Sequence, residues 1–224
     1  MRAIAAFVIC AALSVVVNCT TQTVPPAGVE ISQEKREKVV AEAYLFDAKL
    51  RREGKVNSFR LEIFQTDSIM GLAGRGYLGK GALKGWVKPD SLKVYFPTAH
   101  EYLYKSVGEL FGSFECTSDL PEIDLLGLFS ALPDSAELDS RVVIDADYSN
   151  DERPVFLLSV SGCPWRIEIT YDRRDPGWRI REFSFDDGNT NELSARRREY
   201  RDEARVKPIV FEAAIPMDAI RIYP

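Results

Sequence analysis

The sequence predicts a mainly β chain with α elements (α+β): a strongly curved antiparallel sheet behind one N-terminal amphipathic helix. Three observations carry this. Apolar residues recur at every second position in segment after segment, Asp, Pro and Gly punctuate the joins, and a run of glycines interrupts two of the expected strands.

The first residues, MRAIAAFVICAALSVVVNCT, have the outline of a signal peptide: Arg2, then an uncharged run from Ala3 to Val17, then Asn18-Cys19. The run is shorter than the ~20 residues a helix needs to cross a bilayer, and no later segment is long and apolar enough to span one. The four residues Val16-Val17-Asn18-Cys19 resemble the lipobox of bacterial lipoproteins, in which cleavage leaves a lipid-bearing Cys at the new N-terminus. Asn18 departs from the small residue usual there, and ordinary cleavage nearby is the alternative. Residues 1–18 are therefore expected as a lipoprotein signal peptide, Cys19 as the lipidation site, and residues 19–31 (beginning CTTQTVPPAG) as a flexible tether. Residues 32–224 then form a single domain.

That domain opens with SQEKREKVVAEAYLFDAKLRREG. Ser32 suits a helix start, Lys49, Arg51 and Arg52 suit the last turn, and Gly54 suits the stop. Val39, Ala43, Phe46 and Leu50 follow helical spacing, which predicts the amphipathic helix. After Lys55 the period becomes two. Phe59, Leu61 and Ile63 alternate with Arg60 and Glu62; Leu92, Val94 and Phe96 with Lys93 and Tyr95; Trp165, Ile167 and Ile169 with Arg166 and Glu168. These are half-buried antiparallel strands. The turn residues from Arg173 to Gly177 predict a hairpin between the strands at 165–171 and 178–185. Further strands are expected at 141–147, 154–159, 209–214 and 219–223, and a short helix between Pro121 and Pro133.

GLAGRGYLGKGALKG, Gly71 to Gly85, contains both a GxGxxG and a GxxxxGK. A dinucleotide fingerprint needs a strand before the turn and a helix after it, whereas this run leads into another strand and the turn Lys88-Pro89-Asp90. As a phosphate loop it has Gly81 where a Mg²⁺-binding Ser or Thr belongs. No nucleotide is expected. The glycines instead allow bulges and close backbone approach in a curling sheet.

Little supports catalysis, and no enzyme is expected. The one histidine, His100, lies in a turn-like stretch, Phe96-Pro-Thr-Ala-His, and no G-x-S-x-G elbow is present. Cysteine and histidine spacing gives no zinc site, and DADYSNDE from Asp145 lacks the glycine and the last glutamate of a calcium loop; no metal or cofactor is implied. Net charge of −5 argues against nucleic acid. ARRREYRDEARVK, Ala195 to Lys207, interleaves its cations with Glu199, Asp202 and Glu203 and reads as a solvated face. Once Cys10 leaves with the signal and Cys19 is lipidated, Cys116 and Cys163 remain. In an exported chain they are expected to form a disulfide, with two buried free thiols as the alternative.

The order of elements resembles the periplasmic lipoprotein carriers and receptors LolA and LolB and related outer-membrane lipoproteins: a helix before FRLEIF, a glycine-bearing hairpin, PDSLKVYFPTAHEYLY, a middle helical section, and late strands ending near RVKPIVFEAAI. The resemblance covers roughly residues 33–223 and implies an incomplete antiparallel β-barrel with short lid helices around an apolar cavity that takes acyl chains or lipoproteins. It implies a lipid-anchored protein of the bacterial envelope, on the outer membrane facing the periplasm. The resemblance supplies the fold and the ligand class only; the alternation of the strands supplies the expected lipid-binding row, Phe59, Leu61, Ile63, Val94, Phe96, Trp165, Ile167 and Ile169. The alternative is a structural or assembly lipoprotein in which the same row is a filled core.

Overall fold

A computed structural model describes residues 37–52, 54–76, 79–106, 109, 125–130, 142–147, 152–160, 162–174 and 177–222. The leader, Cys19, the tether and Cys116 lie outside the described residues.

Among the described residues, eleven strands are met in chain order before the C-terminal segment: β1 (Val39–Arg52), β2 (Lys55–Gln65), β3 (Met70–Arg75), β4 (Gly81–Val87), β5 (Ser91–Phe96), β6 (Glu101–Ser106), β7 (Val142–Asp147), β8 (Val155–Val160), β9 (Arg166–Arg174), β10 (Gly177–Asp186) and β11 (Asn191–Val206). A helix, α1 (Leu125–Ser130), lies between β6 and β7, and a two-residue strand, β12 (Ile220–Arg221), follows near the C-terminus. These twelve strands join one sheet in the order β12-β6-β5-β4-β3-β2-β1-β11-β10-β9-β8-β7. Every pairing is antiparallel except β12 on β6. The sheet is not closed, since β12 and β7 are its two edges.

The topology is two meanders, β1–β6 and β7–β11, fused by the long β1–β11 ladder that runs from Val39↔Val206 to Arg52↔Asn191. Two connections must therefore travel across the sheet. The link from β6 to β7 joins strands near opposite ends of the sheet order, and α1 within it lies on the apolar face, where Gln65 Nε2 of β2 donates to Leu126 O (3.3 Å) and Phe129 meets Phe183 of β10 edge-on at 5.6 Å. The link from β11 to β12 goes from the middle of the sheet to the β6 edge on the opposite face. Its 3-10 helix, Pro208–Phe211, sits on the outward side of β3, where an added Cβ at Gly71 would lie 2.4 Å from Val210 O.

The predicted N-terminal helix is corrected: β1 is a fourteen-residue strand. The segment contains both periods. Val39, Ala43, Phe46 and Leu50 fit a helix, but Tyr44, Phe46, Ala48 and Leu50 fit a strand, and all four of the latter are buried. With β2 and β11 available on both sides, ladder hydrogen bonds and a buried face override helix propensity. Register shifts at Ala41/Ala43 and Leu45/Phe46 disturb the alternation and blur the strand signal. The strand expected at 209–214 is also corrected. Pro208 lacks an N–H and fixes φ, and the chain takes a 3-10 turn there, while the strand at 219–223 shrinks to Ile220–Arg221.

The other strand and turn expectations on described residues hold. β9 and β10 form the predicted hairpin, with Arg174 opposite Gly177. β3 and β4 are antiparallel neighbours with a register shift at Gly74/Arg75, so the glycine run is a hairpin and no helix follows it. Gly85 is needed for close approach, because a Cβ there would lie 2.4 Å from Lys93 O of β5. No helix among the described residues is long and apolar enough to cross a bilayer.

Candidate functional site: the apolar face of the open sheet

Cross-strand register places the predicted row on one face. Phe59, Leu61 and Ile63 of β2 stand opposite Ala48, Phe46 and Tyr44 of β1. Ile63 also faces Leu72, Leu72 faces Gly85, Gly85 faces Val94, and Val94 faces Leu103, which carries the face to β6. Phe96 shares it, two residues beyond Val94. In the other direction Ala48 faces Ala195, Ala195 faces Phe183, Phe183 faces Ile169, and Ile169 faces Phe156. Ile167 follows the parallel row through Phe185 and Leu193 to Leu50. Trp165 lies just before β9 and belongs to the same cluster.

The face is packed. Ile63, Trp165 and Ile169 are each 1% exposed and Phe96 is 0% exposed. Phe59, Leu61 and Val94 are buried as well, and Ile167 is half-buried against the same cluster. Aromatic contacts knit its centre: Phe46 meets Phe183 edge-on at 5.3 Å, and Phe183 in turn meets Phe129 of α1. Cys163 is half-buried against this core, close in sequence to Trp165. Cys116, the partner expected for it in a disulfide, lies outside the described residues.

At one end of the face, where β1 begins and β9 ends, lies a polar network that the sequence did not single out. Tyr44 Oη donates to Glu42 Oε2 (2.7 Å), and Arg179 Nη2 lies 2.7 Å from Glu42 Oε1. Arg179 also donates from Nε to Tyr200 Oη (2.8 Å) and from Nη1 to Trp178 O (2.8 Å). Beside it, Arg197 donates from Nη1 to Ile180 O (2.7 Å) and from Nη2 to both carboxylate oxygens of Asp172 (2.6 and 2.7 Å). Burial, the hydrogen bond to Glu42 and that carboxylate's charge push the Tyr44 hydroxyl well above the ordinary tyrosine range. Burial likewise raises Tyr200. Burial works against the Arg179 charge, but the bonds to Tyr200 and Glu42 outweigh it and hold the guanidinium above its ordinary value.

This corrects the reading of ARRREYRDEARVK as a wholly solvated face. Arg196, Arg198 and Arg201 are exposed, but Arg197 has a side chain only 5% exposed, and Tyr200 packs at 5.0 Å on Tyr44. The available signal was the tyrosine amid arginines: Tyr200 has Arg179 and Arg197 over its ring at 5.8 and 5.7 Å.

Other singled-out residues fall elsewhere. His100 occupies a turn at φ 56°, half-buried, with Nδ1 3.1 Å from Tyr95 Oη and Nε2 3.1 Å from Asp218. Asp187 closes the predicted turn at 186–189 by accepting from the backbone of Asn189 and Asn191 and from Asn191 Nδ2. Among the described residues no group of three or more His, Cys, Asp or Glu side chains converges as metal ligands. A groove of about 370 Å³ lies on the polar side of β1 and β9–β11, lined by Asp47, Lys49, Glu168, Glu182 and Arg196, and so is separate from the apolar row.

No protein-family model matches the chain, and no curated protein matches it in sequence. Solved structures do align with it. An uncharacterised conserved protein from Thermus thermophilus matches at 8% identity over 80% of this chain and 90% of that one, with a TM-score of 0.39. A DUF1329 family protein from Desulfovibrio piger matches at 14% over 80% and 91%, with a TM-score of 0.40. A domain from Vibrio parahaemolyticus, named for outer membrane lipoprotein sorting, matches at 10% over 72% and 84%, with a TM-score of 0.35. At these TM-scores the likeness assigns neither a family nor a function.

Proposed function

We propose that this chain is a lipid-anchored protein of the bacterial envelope, held on the periplasmic side of the outer membrane, that binds acyl chains or lipoproteins against the apolar face of its open sheet. The observation that carries the reading is an apolar face that runs from β6 to β8 within an unclosed twelve-stranded sheet, with α1 lying on it. An open sheet can admit a chain by displacing a cover, whereas a closed barrel of this size has to be entered through its mouth. Among the described residues α1 is the one helix on that face. A second reading is favoured by a specific observation: the near-zero exposure of Ile63, Phe96, Trp165 and Ile169 suits a structural or assembly lipoprotein whose face is a filled core.

Binding of a fluorescent fatty acid and urea unfolding, measured together on wild type, Ile63→Trp and Ile167→Trp, separate the two. An accommodating face binds the fatty acid and loses it in the Trp variants with stability nearly intact. A filled core shows no binding by wild type and a loss of ~1 to 3 kcal/mol in the variants from overpacking. The anchor is tested by Cys19→Ser. Lipid chains add roughly 0.8 kcal/mol per buried CH₂, so the variant should move from the membrane to the soluble fraction. Unchanged processing and fractionation would remove the lipoprotein assignment.

A further inference from the structure

The outward face of β4–β6 is unlike the rest of the molecule. Register sets Trp86, Lys93 and Tyr104 in one row across the three strands and Lys84, Tyr95 and Tyr102 in the next. Trp86 and Tyr104 meet edge-on at 6.2 Å across Lys93. Lys88 Nζ lies 5.0 Å over the Trp86 ring, and the Arg221 guanidinium lies 5.9 Å over Tyr104 while donating to Tyr104 O (3.1 Å). The outward positions of β4–β6 are filled by Ala, Lys, Trp, Ser and Tyr, with no carboxylate, in a chain whose net charge is −5. Carboxylates stand only at the rim: Asp218 beside His100, Asp90 accepting from the Ser91 hydroxyl (2.8 Å) and Glu109 accepting from the Ser106 N–H (3.0 Å). Exposed apolar groups stand near the β12 edge: Tyr104 is 45% and Met217 105% exposed.

We propose that this face docks on an anionic lipid bilayer. Aromatic side chains with polar tips, flanked by Lys and Arg, are the composition of a membrane–water interface, where the rings sit at headgroup level and the cations meet lipid phosphate. The fully exposed Met217 supplies shallow apolar insertion. Charge complementarity favours a bilayer rich in anionic lipid. The docking face lies opposite the apolar row, so membrane docking stands or falls separately from acyl-chain binding.

The test uses the full chain carrying Cys19→Ser, so that no covalent lipid contributes and any effect of the leader is common to all samples. Co-sedimentation is measured with vesicles of phosphatidylcholine alone and of phosphatidylcholine and phosphatidylglycerol in about equal parts. The patch variant is Lys88→Glu with Lys93→Glu; the charge-matched control, on the outward side of β11, is Arg196→Glu with Arg198→Glu. Each cation near an anionic surface is worth roughly a fivefold change in partitioning, so the patch variant should bind the mixed vesicles at least about tenfold more weakly while the control stays within about twofold. Met217→Asp, at a fully exposed position, should also weaken binding without disturbing the fold. Equal losses in patch and control variants, or no loss in the patch variant, would overturn the proposal, as would absence of binding to mixed vesicles.

Discussion

Arg197 Nη2 lies 2.6 and 2.7 Å from the two carboxylate oxygens of Asp172, tying β11 to β9 across the intervening β10. The Arg197 side chain is 5% exposed and that of Asp172 is 12% exposed, so neither charge has much water to fall back on. Arg174 and Arg181 approach Asp172 only at 3.7 and 3.9 Å. Removing the arginine charge leaves a buried carboxylate poorly compensated. Arg197→Met should lower stability by about 3 kcal/mol in urea unfolding, whereas Arg198→Ala, one residue along and exposed, should stay within about 0.5 kcal/mol. Equal effects at the two positions would show that the pair is not a structural tie.

Tyr44 gives the fold an alkaline sensitivity. Its folded-state hydroxyl titrates above the unfolded tyrosine value of about 10, because the buried ring beside Glu42 resists ionisation. The folded protein therefore holds a proton that the unfolded chain gives up. The associated stability is complete below about pH 10 and is lost as pH rises past it, by up to about 1.4 kcal/mol per pH unit. Tyr44→Phe should lose about 1 kcal/mol at neutral pH with the Glu42 hydrogen bond, and its stability should fall less steeply than wild type between about pH 10 and 12. Thermal unfolding across that range measures both, and parallel slopes would refute the assignment.

Gly71 is where the C-terminal link lies on the outward side of β3. An alanine there would place Cβ 2.4 Å from a backbone oxygen, Val210 O, which cannot rotate away as a side chain can. Gly71→Ala should cost about 1 to 3 kcal/mol and make the displaced C-terminal link more sensitive to chymotrypsin at Phe211. Gly76→Ala is the contrasting case, because its nearest neighbour, Lys80 O, is 3.7 Å from the added carbon. It should change stability by no more than about 0.5 kcal/mol.

Cys116 and Cys163 are expected to be joined. A bridge between them would close a long loop, for which chain entropy gives roughly 4 kcal/mol. Thiol titration of the unfolded, unreduced mature protein should find neither reactive, and a reduced sample should find both. Two reactive thiols before reduction would mean that these cysteines are simply packed.

The alternation of apolar and polar residues was enough to locate β2, β5 and the β9–β10 hairpin, and to choose Phe59, Leu61, Ile63, Val94, Phe96, Ile167 and Ile169 as one face, because a strand's two sides are written directly into its sequence at period two. The glycine run likewise declared a hairpin through its neighbours. Three things were decided only by tertiary structure. β1 carries both helical and strand spacing, and the choice fell to its ladders with the adjacent β2 and with β11, whose backbone groups and buried side chains are distant in sequence. Arg197 looked solvated among its neighbours because local charge pattern does not record Asp172, twenty-five residues away. The Trp86–Lys93–Tyr104 row exists only once β4, β5 and β6 are in register, since no short-range pattern links residues that meet solely through strand pairing. A linear sequence records the period of each element, while the identity of an element's partners is a property of the folded sheet.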